Sequence, residues 1–366
     1  MRCGLARKLI EEGRVKRAFI FGFLVATGIT VSAMGAGAND SMARVGAGGI
    51  KLIKGEHIRM LEEVLEVSTK TVSVKYRFRN ESDREVKTTV AFPMPSYRWT
   101  DGQTMWDDNQ KPVSTFVALV NGRQVPTKTI TKALVGGVDV TEELHKAGLS
   151  DIAIQTFAGC REVMNGEGTV KTASDLTHRQ KRVVKHLNRG EESCPPWTVS
   201  TSLVWKQTFP AHKEVVVEHR YAPFVGSMYT APYQKGYEYH VRDLHPMAEA
   251  AAGKDEACLD TDTKRTIEER VEALAGRGEK MAYVTLHDVE YVLGTGRNWK
   301  GTIGKFTLRI RKGSPDQIVS LCFPGKPRKA DAELIEFAQE NFVPQDKLVV
   351  YFYDVVPDVP GSGNAR

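Results

Sequence analysis

Apolar and polar residues alternate along several stretches of the chain, and a period of two predicts strands with one face on a core. The clearest stretch is residues 71–79, where every second residue from Val72 to Phe78 is apolar and the residues between them are Ser, Lys and Arg. Turn residues follow at 80–83, and apolar residues recur at 86–92. We therefore predict a hairpin that buries one face and exposes the other to water.

The remaining segments extend this mainly β pattern. Asn121-Gly122 between two apolar segments predicts a second hairpin, because this dipeptide favours the turn that joins paired strands. Further strands are predicted at residues 58–67, 115–120, 203–209, 215–221, 291–293, 305–311, 318–322 and 348–353. Helices are predicted at residues 141–148, 174–187 and 262–275. Residues 331–342 fit a helix or a strand, and we favour the helix. The predicted fold is mainly β, with antiparallel β-sandwich-type sheets and three or four short helices.

The first 38 residues have the pattern of a secretory signal. Arg14, Lys16 and Arg17 precede an apolar run at 18–31, and small residues follow, ending in Ala36-Gly37-Ala38. This order predicts cleavage after Ala38 and a periplasmic or secreted protein. The alternative is an uncleaved membrane anchor, although the run is shorter than the roughly 20 residues that a spanning helix needs. No transmembrane segment is predicted after cleavage.

The predicted elements divide the chain into five regions. They are a signal peptide at 1–38, an N-terminal β region at 39–130, a helix-containing connection at 131–195, a C-terminal β region at 196–355 with helix 262–275, and a flexible tail at 356–366. Removal of the leader lowers Lys plus Arg from 51 to 45 and Asp plus Glu from 45 to 43, so the formal net charge falls from +6 to +2. The basic character therefore gives no support for nucleic-acid binding.

Four cysteines remain after the leader is removed, an even number that suits an oxidising compartment. They permit three pairings, among which we favour Cys258–Cys322 and Cys160–Cys194. The alternative is a set of unpaired buried thiols.

Several short motifs resemble the bacterial domain-of-unknown-function 4424 family. The similar segments are Ala38-Asn39-Asp40-Ser41, Tyr76-Arg77-Phe78-Arg79-Asn80, Val90-Ala91-Phe92-Pro93-Met94-Pro95, Gly137-Val138-Asp139-Val140-Thr141, Glu218-His219-Arg220-Tyr221, Thr295-Gly296-Arg297-Asn298-Trp299-Lys300-Gly301 and Val319-Ser320-Leu321-Cys322. The resemblance implies an exported protein of Gram-negative-type bacteria with no assigned activity. It supplies no catalytic residues.

The connection from Pro95 to Pro112 is the best candidate binding loop. Its aromatic residues Tyr97, Trp99 and Trp106 lie among the polar residues Asp101, Asp107, Asp108 and Asn109. Aromatic faces stack on sugar rings, and carboxylates accept hydrogen bonds from sugar hydroxyls or bind cations. The alternative is a long connection whose aromatic residues fold back onto the sheet.

A glycine-rich segment at 294–302 is the second candidate. It lacks the Lys that follows the last Gly in a phosphate-binding loop, so we predict either a β turn with Trp299 packed over it or a ligand contact by Arg297, Asn298 and Trp299. The basic residues at 179–186 indicate a solvated helix face or contact with anionic lipid. We predict no metal site and no cofactor, because no standard ligand spacing or cofactor motif is present.

These observations favour a non-enzymatic binding or structural module of the cell envelope that contacts an envelope protein or glycan, and not nucleic acid. The alternative is a hydrolase that acts on envelope carbohydrate through carboxylates among Asp101, Asp107, Asp108 and Glu238. No G-x-S-x-G motif supports a serine nucleophile.

Overall fold

A computed structural model describes residues 39–46, 49–98, 115–159, 171–172, 176–188, 196–229, 233–234, 258–276 and 281–357. All of them belong to one unit of tertiary contacts, residues 35–366. Both large sheets take strands from the N-terminal and the C-terminal β regions. The predicted signal peptide lies outside the described residues, as does the predicted tail beyond Pro357.

Twenty-one strands occur in the described residues. Their bounds are β1 Ser41–Gly46, β2 Gly49–Ile53, β3 Ile58–Val67, β4 Val72–Asn80, β5 Val86–Pro93, β6 Val117–Val120, β7 Arg123–Gln124, β8 Lys128–Val135, β9 Val138–Asp139, β10 Phe157–Gly159, β11 Lys171–Thr172, β12 Thr198–Phe209, β13 Glu214–Tyr221, β14 Val225–Tyr229, β15 Tyr233–Gln234, β16 Met281–Tyr291, β17 Ile303–Arg311, β18 Ile318–Ser320, β19 Arg328–Lys329, β20 Leu334–Phe342 and β21 Leu348–Pro357.

Four α-helices occur in the same residues. They are α1 Thr141–Lys146, α2 Asp151–Gln155, α3 His178–Leu187 and α4 Thr261–Gly276, and a 3₁₀ helix spans Gly294–Asn298. Helix α3 begins later than predicted because Thr177 and Gln180 form a capping box, which satisfies free N–H groups of the first turn. No helix in the described part of the chain has the length and apolar character to cross a membrane.

The helix predicted at residues 331–342 is wrong, because this segment forms β20. The strand pairs antiparallel with β17 along almost its whole length. Phe337 and Phe342 are buried, and Phe342 stacks on Phe306 of β17 with ring centroids 4.4 Å apart. Ladder hydrogen bonds and cross-strand packing therefore override a weak helical pattern.

The strands form three main sheets, and the mainly β prediction is confirmed. Eight strands follow the order β19-β20-β17-β3-β4-β13-β6-β7, six follow β2-β1-β5-β12-β8-β9, and five comprise β14-β16-β21-β18 with β15 paired to β16. Pairing is antiparallel except between β17 and β3 and in the small β10–β11 ladder.

The main core lies between these three sheets. Strand β4 shows the principle, since its apolar residues from Val72 to Phe78 are buried and the basic residues between them face outward. The core cluster joins them to apolar residues of the six-stranded sheet, such as Phe92 and Trp205, and of the five-stranded sheet, such as Tyr291. The eight-stranded sheet therefore has one face on the core and one face in water.

Smaller clusters attach the helices. Helix α4 packs Ile267 and Val271 on the second face of the five-stranded sheet, where Tyr351 and Tyr353 lie. Helices α1, α2 and α3 pack around Trp197 and the start of β12. The predicted helices at 141–148, 174–187 and 262–275 thus correspond to α1, α3 and α4.

A disulfide joins Cys258, just before α4, to Cys322, just after β18, and confirms the first predicted pair. The two cysteines are 64 residues apart. In the chain-entropy model the closed loop stabilises the fold by about 4 kcal/mol, because it lowers the entropy of the unfolded chain. Cys160 and Cys194 lie outside the described residues, and their pairing stays a prediction.

Candidate functional site

Segments that are far apart in the sequence meet in the protein interior. Asn39, Asp40 and Ser41, at the start of β1, have no exposed surface. They contact residues of β13 and of the 3₁₀ helix, which lie 179 and 256 positions further along the chain. We call the buried group at this junction the polar centre. It comprises Asn39, Asp40, Glu63, His219 and Thr295.

A carboxylate and an imidazole form the middle of the polar centre. His219 Nε2 lies 2.9 Å from Asp40 Oδ1, and neither side chain is exposed. Burial raises the pKa of Asp40 because it removes water from the carboxylate, while the charge and hydrogen bond of His219 oppose that rise. His219 is therefore the partner that favours the charged form of Asp40 in the interior.

Aromatic rings enclose this pair. The ring centroid of His219 lies 5.0–5.8 Å from the ring centroids of Trp205, Phe92, Phe116 and Tyr76. Such rings exclude water and lower the local dielectric, so charges within the polar centre interact strongly.

A β-bulge brings Glu63 to the same place. The β3–β4 register shifts between Met60 and Glu62, which makes Leu61 the extra residue, and the buried positions of β3 change from even to odd. Gly304 of β17 permits the bulge, because a Cβ at this position would lie 2.5 Å from the carbonyl oxygen of Leu61. Without the bulge, Glu63 would face the solvent side of the sheet.

Glu63 is the second carboxyl of the polar centre whose pKa burial raises. Burial raises its pKa to about 8, the amide hydrogen bond from Asn39 opposes this, and the charge of Asp40 adds to it. Asn39 Nδ2 donates to Glu63 Oε2 at 3.1 Å. Oε1 of Glu63, Oδ2 of Asp40 and Nδ1 of His219 are buried and have no hydrogen-bond partner among the described residues.

The 3₁₀ helix holds the segment that begins at Asn39. The backbone N–H of Asn39 donates to Thr295 Oγ1 at 2.8 Å, and the Thr295 hydroxyl is hydrogen bonded to the Asn39 carbonyl oxygen. Trp299 Nε1 donates to the carbonyl oxygen of Asp40 at 2.6 Å. Gly296 leaves room for this packing, because a Cβ there would lie 2.8 Å from Asn39 Nδ2.

The polar centre has groups that could transfer protons, yet it is enclosed. The hydroxyl oxygens of Tyr76 and Tyr291, which are also buried, lie 2.9 Å apart. Because the carboxyl and imidazole groups have almost no contact with solvent, their charges and hydrogen bonds involve one another and not water. The surface that can meet a ligand lies on the other side of the same strands.

Strand β13 links the polar centre to that outer surface. His219 and Tyr221 face inward, whereas Glu218 and Arg220 face outward. We call the solvent-facing side of the eight-stranded sheet the outer face. It carries cross-strand ion pairs, which include Arg77 with Glu62 and Glu214, Lys75 with Glu218, Arg311 with Glu66, and Arg309 with Glu336.

Two adjoining grooves open on the outer face. The turn groove, of about 510 Å³, is lined by Glu66, Ser68, Thr69, Lys70, Thr71, Ser73, Arg220, Arg311, Lys312 and Gly313. The strand groove, of about 590 Å³, is lined by Val64, Glu66, Ser73, Val74, Lys75, Val117, Leu119, Glu218, His219, Arg220 and Arg309. Glu66, Ser73 and Arg220 belong to both, so the grooves form one continuous depression.

The depression carries a surplus of positive charge. Its lining contains six cationic side chains and two carboxylates, a formal surplus of +4. Glu66 raises the pKa of Arg311 through its hydrogen bond and charge. Within the described part of the chain, Lys70 and Arg220 have no carboxylate within ion-pair distance, so their charges are available to a ligand.

The comparison with protein families decides the classification. A family model described as "Domain of unknown function (DUF4424)" matches residues 38–351. The chain belongs to the DUF4424 family. No curated protein matches it in sequence.

One solved structure similar to this DUF4424 protein is from Legionella pneumophila subsp. pneumophila and is described as a candidate nutrient binding protein. The two chains share 16% identity, and the superposition covers 87% of this chain and 70% of the other with a TM-score of 0.41.

In this DUF4424 protein the predicted binding loop is described only at its start. Tyr97 is partly buried against α2, where its hydroxyl donates to the Gln155 carbonyl oxygen at 2.8 Å, and its ring contacts Phe224. Trp99, Trp106, Asp107 and Asp108 lie outside the described residues. Asp101 and Glu238 do as well, so the carbohydrate hydrolase alternative stays a prediction.

The second candidate segment adjoins the polar centre. Trp299 is buried, Asn298 Nδ2 donates to Ser41 Oγ at 3.0 Å, and Arg297 forms an ion pair with Asp346. The segment forms a 3₁₀ helix where a β turn was one prediction, and the burial of Trp299 agrees with the packing role that this interpretation gave it. Ligand contact by these residues stays a prediction.

Sequence reasoning did not identify Asp40, Glu63 and His219 as one group. The available signal was that two of them lie in motifs shared with the DUF4424 family, Asn39-Asp40-Ser41 and Glu218-His219-Arg220-Tyr221. Glu63 lies in no such motif. In the described residues, no group of three or more His, Cys, Asp or Glu side chains is placed to hold a metal ion.

Proposed function

We propose that this DUF4424 protein is an exported binding module of the cell envelope that binds an anionic glycan in the depression on its outer face. The single observation that carries the proposal is a pair of cations, Lys70 and Arg220, that have no carboxylate partner in the described residues and lie in adjoining grooves with a positive surplus. Carboxylate and phosphate groups on glycans match such a site, because arginine and lysine both bind these anions.

The shape of the depression suits a sugar chain. The strand groove has an apolar floor, formed by Val64, Val117 and Leu119, and a charged rim. Sugar rings present apolar faces and polar edges, so this combination supports contact along a chain and not only at a single charge. Export is supported by the leader pattern that ends at Ala38 and by the disulfide between Cys258 and Cys322, since disulfides persist in oxidising compartments.

Binding is tested with two probes that carry the anion in different forms. Soluble peptidoglycan fragments carry carboxylates, and the phosphorylated oligosaccharide of lipopolysaccharide carries phosphates. Each is titrated by calorimetry into the purified chain that begins at Asn39. We expect saturable binding to one of them, weakening as salt is raised. If neither binds, the glycan assignment is wrong.

A charge-reversal pair locates the binding surface. Lys70→Glu with Arg220→Glu is expected to weaken binding at least 10-fold, which corresponds to about 1.4 kcal/mol. Arg123→Glu with Lys128→Glu makes the same change in net charge outside the grooves and is expected to alter the affinity less than 2-fold. Equal losses in both variants would show that the effect is one of net charge.

Export is tested separately. The full-length chain is expressed in a Gram-negative host, and the N-terminal sequence of the protein in the periplasmic fraction is determined. The expected sequence begins Asn39-Asp40-Ser41. Recovery of the intact chain from the cytoplasmic fraction would contradict export without affecting the binding result.

A further inference from the structure

The polar centre contains two carboxyl groups and one imidazole. Asp40 and Glu63 are both completely buried, and among the described residues the side chain of His219 is hydrogen bonded only to Asp40. If both carboxyls are charged, His219 can neutralise one of them, and the second needs another cation. A buried charge without a partner is strongly destabilising. Glu63 is the carboxyl that lacks this partner.

The backbone nitrogen of Asn39 lies in the same group. It donates to Thr295 Oγ1 at 2.8 Å, and the side-chain amide of the same residue donates to Glu63 Oε2 at 3.1 Å. Oε1 of Glu63 is buried, and the part of the chain that the structure describes offers it no hydrogen-bond partner. A positive charge on the Asn39 nitrogen would therefore arise beside the carboxyl that lacks a cation.

We propose that the α-ammonium group of Asn39, formed when the leader is cleaved after Ala38, is an internal ligand of the polar centre and pairs with the carboxylate of Glu63. The inference rests on the cleavage site given under the proposed function. It goes beyond that function because it assigns the new amino terminus a role in stabilising the fold.

The chemistry of cleavage supplies the missing charge. A signal peptidase hydrolyses the Ala38–Asn39 peptide bond with water, so that the water oxygen joins the Ala38 carbonyl carbon to give a carboxylate and both water protons end on the Asn39 nitrogen. One neutral N–H donor becomes an ammonium with three donors. The ammonium then supplies the cation that Glu63 lacks, beside the carboxylate to which Asn39 Nδ2 already donates.

The experiment compares two chains that differ in four native residues. The processed chain begins at Asn39, and the extended chain begins at Gly35 and so has a peptide bond before Asn39. Both are released from a removable N-terminal fusion and oxidised to form the Cys258–Cys322 disulfide. Thermal unfolding is measured at pH 7, and we expect the melting temperature of the extended chain to be lower by at least about 3 °C.

Glu63→Gln tests whether the difference arises from this pair. In the processed chain the substitution removes a charged partner of the ammonium and is expected to lower the melting temperature clearly. In the extended chain it replaces an uncharged buried acid by an isosteric amide, and the melting temperature is expected to change by less than about 1 °C. Equal effects of Glu63→Gln in the two chains would refute the pairing.

Chemical labelling gives a readout that does not depend on a variant. The α-amine of the native processed chain is treated with an amine-acylating reagent at pH 7, and the labelled N-terminal peptide is quantified against the same chain in urea. We expect labelling at least 10-fold slower in the native protein. Rapid labelling would show that the amine is exposed and would overturn the inference. Because both chains are made in vitro, these results are independent of the export and glycan-binding tests.

Discussion

Tyr76 and Arg77 are neighbours in β4, yet their side chains lie in very different environments. The hydroxyl of Tyr76 is buried and has one partner, Tyr291. The guanidinium of Arg77 is about half exposed and lies 3.4 Å from Glu62 and 3.6 Å from Glu214. The same contrast in burial separates the side chains of the polar centre from those of the outer face.

The contrast shows that burial, and not residue type, decides what a polar side chain contributes. In the polar centre each lost partner leaves a desolvated group that water cannot reach. On the outer face water and salt replace a lost ion pair at little cost. Charges that stabilise the fold least are therefore the ones free to bind a ligand, as Lys70 and Arg220 are.

The largest expected effect comes from breaking the Asp40–His219 pair. His219→Leu leaves the Asp40 carboxylate buried without a cation, and we expect the free energy of unfolding to fall by about 3–5 kcal/mol. The control is His145→Leu, because His145 lies 2.8 Å from Asp151 with both side chains about half exposed. It is expected to cost less than about 1 kcal/mol. Urea unfolding of both variants measures the difference, and similar costs would contradict the contrast.

The next effect is a pH dependence of the free energy of unfolding of the extended chain, which begins at Gly35. Glu63 keeps its proton to about pH 8 when folded but only to about pH 4.5 when unfolded, so folding takes up a proton between these values. The free energy of unfolding therefore falls as pH rises through this window, by up to about 1.4 kcal/mol per pH unit. Urea unfolding at pH 5, 6 and 7 measures the slope.

Titratable groups near Glu63 also affect the slope of the free energy of unfolding against pH. Asp40, paired with His219, titrates in the same direction, whereas the pKa values of Tyr76 and Tyr291 are raised well above 10 and do not contribute. Glu63→Gln is expected to reduce the slope and to leave the part due to Asp40. A slope unchanged by Glu63→Gln would mean that Glu63 is not the group that takes up a proton on folding.

A smaller effect is expected for Tyr76→Phe. The substitution leaves the buried Tyr291 hydroxyl without its partner and should cost about 1–3 kcal/mol, independent of salt. Combining it with Tyr291→Phe removes both hydroxyls, and we expect the double variant to be more stable than the sum of the two single costs predicts. Strict additivity in urea unfolding would show that the hydroxyls do not interact.

The smallest effect is expected for Arg77→Met on the outer face. Its two ion pairs are exposed, so the loss should stay below about 1 kcal/mol at low salt and should vanish in 1 M NaCl. Unfolding measured at both salt concentrations, beside Tyr76→Phe, compares adjacent residues on opposite faces of one strand. A cost for Arg77→Met as large as that of Tyr76→Phe would remove the distinction between the two faces.

Some of these features could be predicted because they depend on residues close together in the chain. The alternation from Val72 to Phe78 assigns each side chain of β4 to a face, since successive residues of a strand point to opposite sides. The helix predicted at 331–342 is wrong, because residues close together in the chain do not decide the structure of this segment. Its local pattern is ambiguous, and the pairing of β20 with β17 depends on residues more than twenty positions away.

Local sequence patterns thus specify the strands, their buried faces and the leader-like segment, because period and composition act over a few residues. The meeting of Asp40 with His219, the inward turn of Glu63 at the Leu61 bulge, and the grooves around Arg220 depend on the tertiary structure. They arise from register and packing between strands that are distant in the chain, and no local pattern encodes these contacts. Burial within that packing then separates the structural charges from those available to a ligand.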